Sequence, residues 1–135
     1  MALMTWSEEL AVGVSAVDKE HRELVDLMNQ IYTSAERRDA AQTVHLFDQL
    51  LEHTVAHFRN EEALFINTAY PDAERHRHHH HLLTAKAVEY RDCAAAGHFA
   101  TLTDDVLPKL RDFLIFHIQK DDRETCAFLK AIGVG

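Results

Sequence analysis

The residues of this sequence best able to do chemistry are histidines and carboxylates set one helical turn apart. His57 and Glu61 are separated by four positions, as are His76 and His80, and His117 precedes two adjacent aspartates, Asp121 and Asp122. A helix turns once in 3.6 residues, so groups four apart project from the same side. His57 and Glu61 share their side with Phe47, Leu50, Thr54 and Leu64. The stripe Leu83, Ala87, Tyr90 and Ala94 extends backwards onto His80 and His76. His21 heads a third stripe with Leu24, Met28, Ile31 and Ala35, and His117 continues a fourth from Val106, Leu110, Phe113 and Leu114.

Aiming imidazoles and carboxylates into a core is costly unless they satisfy one another or hold a cation. Singly, each has a plainer reading. His21 suits a satisfied core histidine, the histidine run 76–81 a solvated face, and His117 a helix-end charge pair. Jointly, four helices each placing histidine on the buried stripe, two of them with a carboxylate nearby, point to a metal cluster that turns these groups into ligands. Nitrogen and oxygen donors without thiolate suit iron or manganese better than a structural zinc.

Four elements must position these groups. Periodicity predicts helices at about 18–38, 41–65, 72–96 and 102–123, after an irregular arm over residues 1–17 whose Trp6, Leu10, Val12 and Val14 can pack on the bundle. Asp18 reads as the N-cap of the first helix, with acidic Glu20 and Glu23 near its positive end. Asn67 to Pro71 should break the second helix, and Gly97 should stop the third. Pro108 requires the fourth to start there or kink, and the tail from Cys126 through Phe128, Leu129 and Ile132 reads as a last amphipathic turn. The expected fold is all-α, an antiparallel up-down-up-down four-helix bundle in a single domain, 1–135.

Composition narrows the function. Gly 4 and Pro 2 leave little material for hairpins. A net charge of -8 makes nucleic acid and anionic membrane poor partners. No apolar run reaches the roughly 18 residues of a spanning helix, and the start lacks the pattern of a signal peptide. Cys93 and Cys126 form no C-x-x-C pair, so a cytoplasmic, reducing location is expected. Eleven histidines in 135 residues are the compositional anomaly.

Trp6, Val17-Asp18-Lys19-Glu20-His21, His57-Phe58-Arg59-Asn60-Glu61-Glu62, Tyr70-Pro71, His76 to His80, and Leu114-Ile115-Phe116-His117-Ile118 with Asp122 occur in an order that resembles the bacterial hemerythrins over nearly the whole chain. The resemblance implies a non-haem di-iron centre bridged by an oxo or hydroxo group. His76, His80 and His117 would hold one iron, His21 and His57 the other, and Glu61 and Asp122 would bridge. Two six-coordinate irons need about twelve donors, and this set leaves one position open on the iron with two histidines, where dioxygen would bind. Helix geometry alone pairs His117 with Asp121, since five residues overshoot a turn. The family spacing selects Asp122 and so implies a helix distorted or ending there. Phe58 and Leu114 are candidate pocket walls. His53 could support the cluster from outside or stand as a plain surface or core histidine.

The function so implied is reversible dioxygen binding for storage, delivery or sensing, by a binding protein rather than an enzyme. Dioxygen is then the partner of a monomer, alongside an electron donor or an oxygen-consuming protein. The rivals are a di-iron redox enzyme (oxidase, peroxidase, or a scavenger of nitric oxide or peroxide) and iron buffering. Ferritin-like di-iron enzymes carry paired E-x-x-H motifs, and this sequence has none.

Overall fold

Each long apolar stripe can be buried only against another helix, because most helical stability comes from packing an amphipathic face. The computed structural model describes residues 3–68 and 70–133, apart from the side chains of residues 64–68. It is an antiparallel up-down-up-down bundle, with no strand among the described residues. The first three helices are α1 (Ser15–Glu36), α2 (Ala40–Thr68) and α3 (Ala73–Ala95). The fourth, α4, is one helical path over residues 99–131 built from α- and π-helical pieces. α1 packs on α2, α2 on α3, and α4 closes the bundle against both α1 and α3. No helix among the described residues is long and apolar enough to cross a membrane.

Several boundaries differ from the sequence expectation. α1 begins at Ser15, so Asp18 is not its N-cap. Asp18 sits buried in the first turn, and its Oδ1 accepts the Val12 N–H at 2.8 Å, tying the N-terminal arm to the helix. Two further bonds fix that arm, a reciprocal pair between the Asn29 side chain and the Met4 backbone at 3.0 and 2.9 Å. α2 runs on to Thr68 rather than stopping at Phe65, because Pro71 restricts only the residue before it. The placement of Leu64 on the buried stripe falls outside the described side chains.

α4 departs most. Its start lies at Phe99, and the expected separate tail is continuous helix through Ala131. Pro108 neither starts nor breaks it. A π-helical turn, Leu102–Val106, precedes the proline, and the Leu107 N–H reaches back five residues to the Leu102 carbonyl. The wider turn accommodates a residue that cannot donate. Phe113, expected in the core, is only half-buried, with the Lys86 ammonium 5.8 Å from its ring centre.

The apolar core is made by the predicted stripes, Leu24, Met28 and Ile31 from α1, Phe47 and Leu50 from α2, Leu83 and Ala87 from α3, and Val106, Leu110 and Leu114 from α4, joined by Leu107. Two turns hold the helices antiparallel. After α3, Gly97 takes φ +77° while the His98 N–H returns to Cys93 O at 3.2 Å. After α1 the same motif closes with Asp39 N–H on Ser34 O at 3.2 Å, but the left-handed position is Arg38, at φ 57°. A side chain there costs about 1–2 kcal/mol, part of which glycine would return as chain entropy. Arg38→Gly should therefore raise stability by about 0.5–1 kcal/mol, read as an increased urea midpoint with an unchanged m-value.

Candidate metal centre

The structure brings all seven sequence-predicted residues into one layer across the bundle, each at most 4% exposed. α1 supplies His21, α2 supplies His57 and Glu61, α3 supplies His76 and His80, and α4 supplies His117 and Asp122. Each residue of α2 and α3 sits one turn from its partner, which ordinary helix geometry provides. The α4 pair needs something else. Residues His117–Asp122 form a π-helical turn, and the Arg123 N–H bonds the Ile118 carbonyl five residues back. In that geometry residues five apart come into register, so His117 and Asp122 share a face.

The carboxylate oxygens divide the layer in two. Asp122 Oδ1 lies 2.8 Å from His76 Nε2 and 3.1 Å from His117 Nε2. Glu61 Oε2 is 3.1 Å from His76 Nε2 and 3.2 Å from His80 Nε2. The other two oxygens face the opposite way, Asp122 Oδ2 at 2.7 Å from His21 Nε2 and Glu61 Oε1 at 2.8 Å from His57 Nε2. Glu61 and Asp122 thus each give one oxygen to a three-histidine half and one to a two-histidine half. Both halves hold their donor atoms within 4.8 Å of one another, the spacing of a set that could surround an ion.

Many of these atoms have no hydrogen bond. Both ring nitrogens of His21, His80 and His117, together with His57 Nε2, Glu61 Oε2 and Asp122 Oδ2, are buried without an aligned partner among the described residues. Native proteins rarely leave buried polar atoms unsatisfied, and here they crowd around shared space with donor types suited to a metal. The residues fit a pair of cations. Cys126, buried beside the layer, adds no thiolate: burial, with the Asp122 and Glu61 charges, pushes its thiol up to about 12.

Outside the layer, further groups hold the rings in place. His57 Nδ1 bonds the Glu20 carboxylate, whose pKa that bond lowers. His76 Nδ1 is 2.7 Å from Thr125 Oγ1, and His117 Nδ1 is 3.3 Å from Asp121 Oδ2. Such partners fix ring orientation and raise donor strength. The sequence reading missed Thr125 and gave Glu20 only a helix-end role. Thr125 lies eight positions after His117, two turns along the same face, which was the available signal. His79, His117 and Asp121 also form a compact trio. Arg75, 3.6 Å from the free Asp121 oxygen, supplies the cation there, so this trio serves orientation. His53 lies outside the layer, 3.2 Å from Glu23 and a quarter exposed. Phe58 stacks on His80 with ring centres 3.7 Å apart.

Without metal, protons must balance the buried carboxylates. Burial works against a charged His57, yet the Glu61 charge, the nearby Asp122 carboxylate and the hydrogen bond to Glu20 push its pKa up to about 12. The same opposition, with Asp122 and Asp121 prevailing, raises His117 to about 10, and Asp122 and Glu61 raise His76 to about 9. Burial lowers His80. Burial would raise both Glu61 and Asp122, but the surrounding imidazoles hold them well below the usual carboxylate range. Raised histidine values stabilise the metal-free fold below their unfolded pKa near 6.5, and that contribution is lost as pH climbs through about 9 to 12. Metal must displace those protons. Loading at pH 7 should release about three protons per chain, measurable by calorimetry in buffers of different ionisation heat. A release near zero would mean the rings are already neutral.

The family model for the hemerythrin HHE cation binding domain matches residues 12–129. The chain is 28% identical over 131 residues to a bacteriohemerythrin of Stenotrophomonas maltophilia (strain R551-3), covering 97% of this chain and 84% of the relative. It is 29% identical over 124 residues to a bacteriohemerythrin of Methylococcus capsulatus (strain ATCC 33009 / NCIMB 11132 / Bath), covering 91% and 94%. A crystal structure of wild-type hemerythrin superposes with a TM-score of 0.84 at 28% identity, over 95% of this chain and 98% of that one. A match spanning the four helices and the whole histidine and carboxylate layer establishes that the chain belongs to the hemerythrin HHE cation binding domain family.

Proposed function

We propose that this protein binds dioxygen reversibly at a non-haem di-iron centre. His76, His80 and His117 would hold one iron and His21 and His57 the other, with Glu61 and Asp122 spanning both. The observation that carries this reading is a cavity of about 30 Å³ in contact with His21, His57 and His117. Its remaining walls are almost wholly apolar, including Leu24, Met28, Leu50, Phe58, Leu110 and Leu114. A water needs roughly 10–15 Å³ on this measure, so the space suits one diatomic molecule. Apolar cavities of this kind stay dry.

Iron held by these residues would supply the redox chemistry for binding a diatomic ligand. The residues do the rest. The two-histidine half has one imidazole fewer, and both its histidines border the cavity, against His117 alone of the other half, so an incoming ligand meets mainly the less crowded side. Leu24, Met28 and Leu114 exclude water and stray protons, and Phe58 fixes the His80 ring by stacking. Glu20 and Thr125 bond the Nδ1 side of His57 and His76, and Asp121 stands beside Nδ1 of His117, an arrangement that leaves Nε2 directed inward. The names of the relatives support the same reading. Storage, delivery and sensing are all roles that such a centre would serve.

The test is an optical spectrum recorded with iron content, on protein reduced without air, aerated, then deoxygenated. Two irons per chain and a charge-transfer band that appears with air and vanishes without it are expected. A one-way passage to a stable ferric spectrum would move the assignment to a redox enzyme, and the absence of iron would remove the di-iron reading. The division of the layer makes a second outcome specific. His21→Ala should retain about one iron per chain, because the three-histidine half is intact, whereas Glu61→Ala should lose most of both.

A further inference from the structure

One polar side chain in the cavity wall has no part in the metal layer. Among the residues lining the cavity, only Thr54 is polar without being a histidine. It lies on α2 one turn before His57, and it is 8% exposed although it sits inside the bundle. A threonine in a helix ordinarily returns its hydroxyl to the carbonyl three or four residues back. The other two buried threonines do so: Thr43 Oγ1 donates to Asp39 O at 2.7 Å and Thr125 Oγ1 to Asp121 O at 2.9 Å. The Thr54 hydroxyl has no hydrogen-bond partner among the described residues, and it is not among the polar atoms sealed inside protein. Thr54 itself is part of the cavity wall. Valine has the same shape and would fill this place in an apolar wall without the cost of an unpaired hydroxyl.

We propose that the Thr54 hydroxyl is the hydrogen-bonding contact for the diatomic ligand, donating to an oxygen atom seated in the cavity beside His21 and His57. The inference rests on the dioxygen reading above and adds to it the group that separates a polar oxygen ligand from an apolar gas of similar size. The apolar walls admit either. Only a ligand that accepts a hydrogen bond gains from Thr54, and one such bond is worth about three- to tenfold in affinity.

The experiment compares wild type, Thr54→Val and Thr54→Ser. In iron-loaded protein, Thr54→Val should weaken dioxygen binding about three- to tenfold, and Thr54→Ser, which keeps the hydroxyl, should recover most of the loss. In metal-free protein, Thr54→Val should raise the melting temperature by about 2–5 °C, since an unpaired hydroxyl is removed. Xenon under pressure should enter the metal-free cavity equally in wild type and Thr54→Val. Unchanged dioxygen affinity in Thr54→Val, with wild type binding reversibly, overturns the role of Thr54 and leaves the dioxygen reading standing. A lowered melting temperature, or lost xenon binding, assigns the hydroxyl to the fold and overturns the role as well. A wild type that binds iron but no dioxygen removes both.

Discussion

Everything in this molecule follows from placing five imidazoles and two carboxylates in the middle of a helical bundle. Such groups cannot be left alone away from water. They are balanced either by protons on His57, His76 and His117, where the carboxylates raise the pKa, or by metal cations that replace those protons. Both balances draw on the same buried atoms. The layer also explains the paired connectivity of the oxygens. A carboxylate with both oxygens engaged on opposite sides holds two groups of histidines at a fixed separation, and no single side chain could replace it.

Next to the polar layer the bundle turns apolar within one helical turn. Leu24 follows His21, Leu83 follows His80, and Leu114 precedes His117, and all three line the cavity. This boundary sets an almost wholly apolar space directly against the polar layer. Phe58 belongs to both sides: it follows His57 in sequence, stacks on His80 from the neighbouring helix, and forms part of the wall. The rigid faces of the rings, and not a flexible loop, set the size of the space.

The four helices, their buried stripes and six residues of the set, all but Asp122, were legible because they obey a local period. His57 with Glu61, and His76 with His80, lie within one turn, and their apolar neighbours mark the inward side. What the sequence hid depends on approach between distant segments. Glu20 meets His57 across 37 positions and Thr125 meets His76 across 49, and a period within one helix, which can place Thr125 on the His117 face, does not say which residue of another helix it meets. Asp18 carried a true capping signal, yet the amide it satisfies belongs to the arm at Val12. At His117 a straight helix favours Asp121, and only the resemblance pointed to Asp122. The π-helical turn gives each aspartate a place, Asp122 facing the layer and Asp121 behind the ring.

That π-helical turn amounts to one supernumerary residue in the helical count. Each residue of an ordinary helix advances the direction of the side chain by 100°, so everything downstream is rotated as a block relative to an uninterrupted helix. Thr125, Cys126 and Leu129 are buried in this rotated frame. Arg123, the first residue past the turn, reaches the Glu9 and Ala11 carbonyls of the N-terminal arm. The surplus residue therefore sets the phase of the last two turns of the chain as well as the aim of one carboxylate. Shortening the helix by that residue would put Thr125, Cys126 and Leu129 out of phase with the core, and would unseat the arm that Arg123 holds down.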